Sequence, residues 1–417
     1  AESERFRRGG HLLVADLDLD RLTHDRIQTG SFHDAARVPD LGFAKFRYVS
    51  FDLDLSPREP RLARAVDPAP FVPSDPATRD DRCREIFQTQ VAALARRLSH
   101  IGLPAVSIGV SGGLDSTLAL LVVSKTMDDL GDSRDHVKAL TMPGFGTTGR
   151  TRGNAHALMK ALGVSARECD IRQMCLDQMR ALGHRPFGID LEGETVESLA
   201  EKLRQLPPDN RTDLVFENVQ ARVRTSLLMN SGFVIGTGDL SELALGWCTY
   251  NADQMSMYNV NVSIPKTLVK FLVHWAAENE FAGDERKTLL DVVDTEITPE
   301  LLPTDAEGRA VQATESTIGP YELVDFFLYH FLRFGAGPEK ILFLASHATF
   351  SKPYTPDEVR HWLRIFLQRF FANQFKRSVL PDGPKVGSVS VSPRGVGRHP
   401  PVAAARVWLD AVEQGGE

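Results

Sequence analysis

The sequence predicts an α/β protein: a doubly wound parallel sheet with helices on both faces, followed by a helical C-terminal extension. Three observations predict it. Between about Asp80 and Trp247, short β-branched runs alternate with helical stretches, several of them closed by Gly, and repeated βα units imply parallel strands with crossover helices. Two of the strands run straight into Gly/Ser/Asp loops that open helices, the place where open α/β sheets take their ligands. Beyond residue 265 the strand pattern stops, and helical stretches punctuated by Pro299, Pro303, Pro320 and Pro356 take over.

Bulk properties set the frame. The chain has 417 residues, 42% hydrophobic and 25% charged, enough for one large core and a smaller unit in a folded, water-soluble protein. A formal charge of −7 argues against general nucleic-acid affinity. Cys83, Cys169, Cys175 and Cys248 form no C-x-x-C pair, which speaks against a zinc ribbon, an iron–sulfur cluster or a disulfide framework. No apolar run approaches the roughly 20 residues of a membrane span, and no signal peptide is visible, so a reducing cytoplasm is the expected setting.

In chain order, His11–Asp20 alternates Leu with Asp like a half-buried strand, Arg21–Gln28 reads as a short helix, and Arg47–Leu55 reads as a second strand. Two strands cannot stand alone, so residues 1–55 must lean on something else. Residues 56–79 hold Pro57, Pro60, Pro68, Pro70, Pro73 and Pro76 and read as an extended linker. Arg82–His100 is an amphipathic helix. Ala105–Val110 is the first sheet strand, with a helix after it ending near Gly131; Val137–Met142 is the second, followed by the helix Asn154–Leu162; Ser165–Ile171 is the third, followed by Arg172–Leu182. Helical pieces at Val196–Leu206 and Phe216–Met229 lead to a fourth strand, Phe233–Thr237, and the helix Ser241–Trp247. Helices are then expected at Lys266–Asn279, Arg286–Val293, Tyr321–Phe334, Pro338–Ala345 and Pro356–Phe375, with a loosely ordered tail from Pro381 to about Val402.

The stretch Ser111-Gly112-Gly113-Leu114-Asp115-Ser116 carries the most chemistry. A strand, a Gly-containing loop and a helix start together present outward N–H groups and the positive end of a helix dipole, which is an anion site. Glycines allow a phosphate to approach the main chain, Ser111 and Ser116 offer hydroxyl donors, and Asp115 can hold a divalent cation. The place of the lysine in a kinase-type phosphate loop is occupied by Asp115. A second loop, Gly236-Thr237-Gly238-Asp239-Leu240-Ser241-Glu242, again joins strand to helix. Asp239 or Ser241 can cap that helix. Glu242 falls in its first turn, where it could share one magnesium ion with Asp115.

SGGLDS resembles the pyrophosphatase loop of ligases that adenylate a substrate. Together with Phe216–Arg222 (FENVQAR), GTGDLSELALGW, Tyr250, Met255–Asn261 (MSMYNVN) and Pro265-Lys266-Thr267, it resembles the NAD⁺ synthetase family over about residues 80–410. The resemblance is to the long, glutamine-dependent bacterial form. It implies a synthetase domain at 80–380, a C-terminal tail at 381–417, and, at 1–55, the terminal part of a nitrilase-like glutaminase domain. Three connections, 227–233, 250–254 and 346–352, are shorter than that family leads one to expect.

The implied reaction has two steps: ATP and deamido-NAD (nicotinic acid adenine dinucleotide) give an adenylated carboxylate and pyrophosphate, then ammonia displaces AMP to give NAD⁺. Magnesium is the implied cofactor, and glutamine supplies the ammonia in the full-length form. Carried over residue by residue, Gly109, Val110, Ser111, Gly112, Gly113, Leu114, Asp115, Ser116 and Thr237 bind ATP, with Asp115, Ser111 and Ser116 catalytic and Asp115 and Glu242 on the metal. Asn218, Glu242, Trp247, Cys248, Thr249, Tyr250 and Lys376 bind deamido-NAD, and Lys266 is a phosphate candidate. On sequence alone Trp247 serves equally as a core residue, and Lys266 and Lys376 as solvated surface charges. The family implies a homo-oligomer acting on small molecules, with the FENVQAR helix at the subunit contact. Two alternatives stand beside it: another adenylating amidotransferase of GMP synthetase type, and a nucleotide-binding regulator without turnover. GTGDLSE with the YNVN and PKT segments weighs against the first, and the retained Asp115 and Glu242 against the second.

Overall fold

A computed structural model describes residues 5–6, 8–37, 47–52, 62–102, 105–207, 213–293, 315–395 and 397–414. Its centre is a five-stranded sheet: β1 (Val106–Gly109), β2 (Val137–Thr141), β3 (Ser165–Glu168), β4 (Phe233–Gly236) and β5 (Tyr258–Asn259). The spatial order is β3-β2-β1-β4-β5, and every neighbouring pair is parallel. The chain therefore winds outward from β1 to β3, returns across the sheet, and continues from β4 on the other side of β1. The point of reversal lies between β1 and β4, whose registers align Val106 with Phe233 and Ile108 with Ile235. Crevices at such reversals are where open parallel sheets bind ligands.

Both faces of the sheet are covered, as parallel strands require. On one face Val106, Ile108, Val137 and Ala139 pack with helices Pro76–Ile101, Leu114–Leu130, Gly149–Ala161, Lys266–Asn279 and Gly283–Val293. On the other, Leu140 and Met142 pack with Arg172–Ala181, Val196–Arg204 and Leu214–Met229. A third apolar cluster joins Leu240–Leu245 to the C-terminal helices Tyr321–Phe334, Pro338–Ser346 and Pro356–Ala372. Among the described residues no helix is long and apolar enough to cross a membrane.

Several expectations shift. The first long helix starts at Pro76, inside the stretch read as linker, because Asp75 accepts from Thr78 N and Pro76 sits in the first turn. The expected strand at 11–20 does not form: residues 11–18 have no regular structure, and Leu12, Leu13, Val14 and Leu17 are exposed. A strand needs a partner edge, and among the described residues this segment has none. Instead Asp18 caps a helix, Leu19–Gln28. Residues 47–52 likewise carry no regular structure, while 53–55 lie outside the described residues, as do 56–61 of the linker and Pro299 and Pro303. The helix expected over 356–375 breaks at Asn373, whose side chain donates to Leu245 O and Arg369 O. The tail after Pro381 is not loose: Val389 and Val391 are buried, and Ser263 Oγ donates to Pro384 O at 2.7 Å.

Candidate active site

The loop after β1 is shaped by one glycine. Gly112 has φ +91°, and a Cβ there would stand 2.1 Å from Thr151 O in the first turn of the Gly149–Ala161 helix. Both the torsion and the contact demand glycine. Gly113 then caps the Leu114–Leu130 helix, which puts Asp115 in its first turn. Ser111 Oγ lies 3.1 Å from Ser116 Oγ, accepts from Gly113 N, and Ser116 Oγ donates to Gly113 O. The two hydroxyls are thus held at the helix mouth by bonds that rotation of a hydroxyl can exchange for a ligand oxygen. Val110 N donates to Leu140 O, and Gly109 packs under Leu228.

The loop after β4 arrives beside it. Asp239 caps the helix Leu240–Leu245 by accepting from Glu242 N at 2.9 Å. Oxygens of Asp115, Asp239 and Glu242 all lie within 4.8 Å of one another. Lys266, from the start of the helix after β5, sets its Nζ 2.6 Å from Asp115 Oδ2, 2.6 Å from Asp239 Oδ2 and 2.8 Å from Glu242 Oε1. The side chains of Asp239 and Lys266 are 0% and 3% exposed, those of Asp115 and Glu242 24% and 25%. The first pair is the closed floor and the second pair the open rim. Asp115 Oδ1 is buried and has no hydrogen-bond partner among the described residues, an acceptor left free in a site of net negative charge.

The electrostatics follow from burial and like charge. Burial alone would push Lys266 down, but Asp115, Asp239 and Glu242 hold it well above the usual lysine value, so it stays an ammonium. Burial, with Glu242 beside it, pushes Asp239 up. Glu242 is raised by burial and by Asp115, against the pull of Lys266. Tyr321, at the start of its own helix, points its hydroxyl at Glu242 Oε1, 3.4 Å away, and lays its ring 5.3 Å from Lys266 Nζ. Burial and Glu242 push that phenol up. One turn on, Asp325 accepts from Thr267 N at 2.9 Å, from Thr267 Oγ1 at 2.6 Å and from Ser241 Oγ, while Ser241 Oγ accepts from Lys266 N. The helical extension thereby sets the helix starts that carry Glu242 and Lys266.

The remaining expected site residues fall into a second group. Trp247, Cys248, Thr249 and Tyr250 follow the Leu240–Leu245 helix. Lys376 Nζ donates to Gly246 O at 2.8 Å and Cys248 O at 2.7 Å. Trp247 stacks under Arg369 at 4.9 Å, and Tyr250 meets Phe375 at 5.4 Å between centroids. Thr249 N donates to Asp253 Oδ1, and Cys248 Sγ contacts Gln254 Oε1. Burial pushes the Cys248 thiol well up, which disfavours the thiolate form. Asn218 donates to Leu214 O within its own helix; its neighbour Gln220 accepts from Phe145 N and steadies the loop after β2. Thr237 enters through its carbonyl, which accepts from Asn261 Nδ2.

Sequence reasoning missed Asp239 as a member of the carboxylate cluster, together with Asn261, Tyr321 and Asp325. Two signals pointed to them. Asn259 and Asn261 are spaced by two in a strand-like run, and Tyr321 and Asp325 by four on one helix face.

Comparison with known proteins agrees on the fold and the family. The NAD synthase family model matches residues 86–345. A glutamine-dependent NAD(+) synthetase of Mycobacterium leprae is 44% identical over 99% of this chain and 62% of its own length. The enzyme of that name from Mycobacterium tuberculosis strain H37Rv is 43% identical over 99% and 61%. The chain thus spans about three fifths of the length of these curated relatives. The alignment with the first runs to 439 positions, more than the 417 residues here, so that relative has residues inside the matched span that this chain lacks. The crystal structure of a glutamine-dependent NAD(+) synthetase from Cytophaga hutchinsonii superposes with a TM-score of 0.60 at 16% identity, covering 80% of this chain and 56% of that one, a likeness of fold. With the family model spanning well over half of it, the chain belongs to the NAD synthase family.

Proposed function

We propose that the chain carries out the ATP-dependent amidation of deamido-NAD to NAD⁺ through an adenylated intermediate, releasing AMP and pyrophosphate, with ammonia drawn from glutamine in the full-length protein. The observation that carries this is the meeting of the two strand-end loops at the sheet reversal, with Asp115 and Glu242 open on the rim. Gly109–Ser116 and Thr237 take the ATP. Glu242, Asn218, Trp247, Cys248, Thr249, Tyr250 and Lys376 take deamido-NAD. Lys266 turns part of its charge from the carboxylates to a phosphate once one arrives.

Magnesium fits this donor set. A hard cation takes oxygen ligands, three carboxylates supply them within 4.8 Å of one another, and Asp115 Oδ1 is buried without a partner. Asp115 and Glu242 would hold the ion, which neutralises phosphate charge when a carboxylate approaches. The chain's own groups do the rest. N–H groups of the loop after β1, with the Ser111 and Ser116 hydroxyls, hold the phosphate oxygens where negative charge grows. The nicotinate carboxylate attacks the α-phosphorus and the α–β phosphoanhydride bond breaks, so pyrophosphate leaves. Ammonia then attacks the acyl carbon, its nitrogen gives up one proton to water, the acyl–O bond breaks, and AMP leaves with the electron pair. No base is needed first, since a carboxylate is already a nucleophile. The second step needs a positioned ammonia and an excluded water.

In this role the protein works on small molecules in the cytoplasm as a homo-oligomer, with the Leu214–Met229 helix at the subunit contact. The test is an assay with ATP, magnesium, deamido-NAD and ammonium. NAD⁺ and AMP in equal amounts are expected; formation of neither overturns the proposal.

A further inference from the structure

The two loops of the site diverge where the sheet ends. The β1–β4 ladder stops at Ile108 and Ile235. Among the described residues no backbone hydrogen bond then joins 110–116 to 237–242. Two buried side chains do: Lys266 joins them through their carboxylates, and Asn261 joins them through their main chains. Asn261 is fully buried, and its carboxamide sends Nδ2 to Asp115 O at 2.9 Å and to Thr237 O at 3.0 Å. A carboxamide has two N–H hydrogens, so each loop receives one.

The amide is held from behind as well. Its Oδ1 accepts from Gln90 Nε2 at 3.2 Å, and Gln90 Nε2 also donates to Val260 O at 2.8 Å. Asn261 N donates to Asn259 Oδ1 at 2.9 Å, while Asn259 Nδ2 donates to Gly238 O at 2.9 Å. A flipped amide would turn its oxygen on two carbonyls and its nitrogen on the Gln90 donor, so this network admits one orientation. Asp115, whose carbonyl is gripped, carries one rim carboxylate itself, and Asp239 and Glu242 follow the gripped Thr237 in the same loop.

We propose that Asn261 is a positioning residue, a two-pronged clamp that fixes the separation of the loop after β1 from the loop after β4 and thereby sets the affinity for magnesium-ATP. Gln90 and Asn259 are the mounts of the clamp. The nature of the ligand rests on the function proposed above; the clamp itself rests on the six bonds of this side-chain network. A cation site tolerates little error in the spacing of its ligands, so loss of one prong acts on cation and nucleotide together.

The experiment compares Asn261→Asp and Gln90→Met with the parent chain. The aspartate has the same shape and no donor for either carbonyl; the methionine removes the rear support and leaves both prongs in place. Calorimetric titration with magnesium-ATP is expected to show binding weakened about tenfold by Asn261→Asp and about threefold by Gln90→Met. In steady state KM for magnesium-ATP should rise in the same order, with KM for ammonium unchanged. Folded Asn261→Asp protein that binds magnesium-ATP within about twofold of the parent overturns the clamp. So does a loss of activity shared by all parameters and matched by the loss of folded protein, since that is the mark of a merely structural residue. If Asn261→Asp does not fold, Gln90→Met decides, and an unchanged affinity overturns the proposal. Should the parent chain make no NAD⁺, the functional reading fails while the magnesium-ATP titration still judges the clamp.

Discussion

Two lysines, Lys266 and Lys376, reach the site from the C-terminal side of the sheet, and they end in opposite circumstances. Lys266 faces three carboxylates, two of them on an open rim. Lys376 is bonded to the main-chain carbonyls of Gly246 and Cys248, at the end of a short helix. Around Lys266, side-chain charge is answered by side-chain charge, and one carboxylate oxygen is left over. Around Lys376 the polar groups are spent on backbone: Arg377 donates to Ala244 O and Phe370 O, and Asn373 to Leu245 O. Charges that answer one another can be rearranged by an incoming ion. Donors satisfied by carbonyls hold helices together and change little. The first region is built to exchange partners and the second to keep its geometry.

The largest effect should come from the rim. Asp115→Asn keeps the shape and removes a charge, and pyrophosphate release should fall by about 10²–10³ with little change in melting temperature. A variant that still releases pyrophosphate at the parental rate would move the chemistry away from this cluster. Next, Lys266→Met leaves three carboxylates facing one another. Removing one partner of a buried charge network costs about 3 kcal/mol. Thermal unfolding should show that loss, and added magnesium should restore part of it in this variant and not in Lys376→Met.

A pH titration sharpens the contrast from the helical side. His330 is buried against Phe326 and Phe334, and its Nε2 has no hydrogen-bond partner among the described residues. Burial pushes it from the ordinary 6.5 down to about 4. A depressed folded-state value means that the unfolded chain takes up the proton first. Stability from this group is therefore complete above 6.5 and is lost as pH falls from there through about 4, by about 3 kcal/mol in all. Replacing it, as His330→Phe, should flatten the acid limb of the melting profile while leaving magnesium-ATP binding intact. The smallest effect is expected from Lys376→Met. Two carbonyls lose a donor, for about 1–2 kcal/mol in stability, and KM for deamido-NAD should rise with that for ATP unchanged. Equal shifts in both constants would erase the distinction between the two lysines.

Much of this contrast was legible in the sequence. The strands β1, β2 and β4 announce themselves by Val, Ile and Thr, β3 (Ser165–Glu168) by its place between two helical stretches, and the loops after β1 and β4 by their Gly, Ser and Asp content. What stayed hidden depends on long-range packing. β5 has only two residues, too few for a periodic signal. Asp239 reads from sequence as a helix cap, and it is one, yet its second oxygen belongs to the Lys266 cluster, which only the sheet order brings together. Tyr321 and Asp325 lie about 80 residues beyond their partners Glu242 and Ser241, on a helix whose aromatic pattern speaks of core. The Leu/Asp alternation at 11–20 gave a strand pattern without a partner, and local pattern cannot supply an edge to pair with. The tail after Pro381, rich in Gly and Pro, is packed against Asn259–Ser263 by contacts its composition does not reveal.

Adenylation at the meeting of the two loops is the central step, and a single-turnover experiment tests it most directly. The chain is mixed with magnesium-ATP and deamido-NAD without ammonium, and pyrophosphate is followed over time. A burst of about one pyrophosphate per site is predicted, with NAD⁺ and AMP appearing only when ammonium is added, and with no burst in Asp115→Asn. Absence of a burst in the parent chain, or a burst that does not require deamido-NAD, would contradict the account.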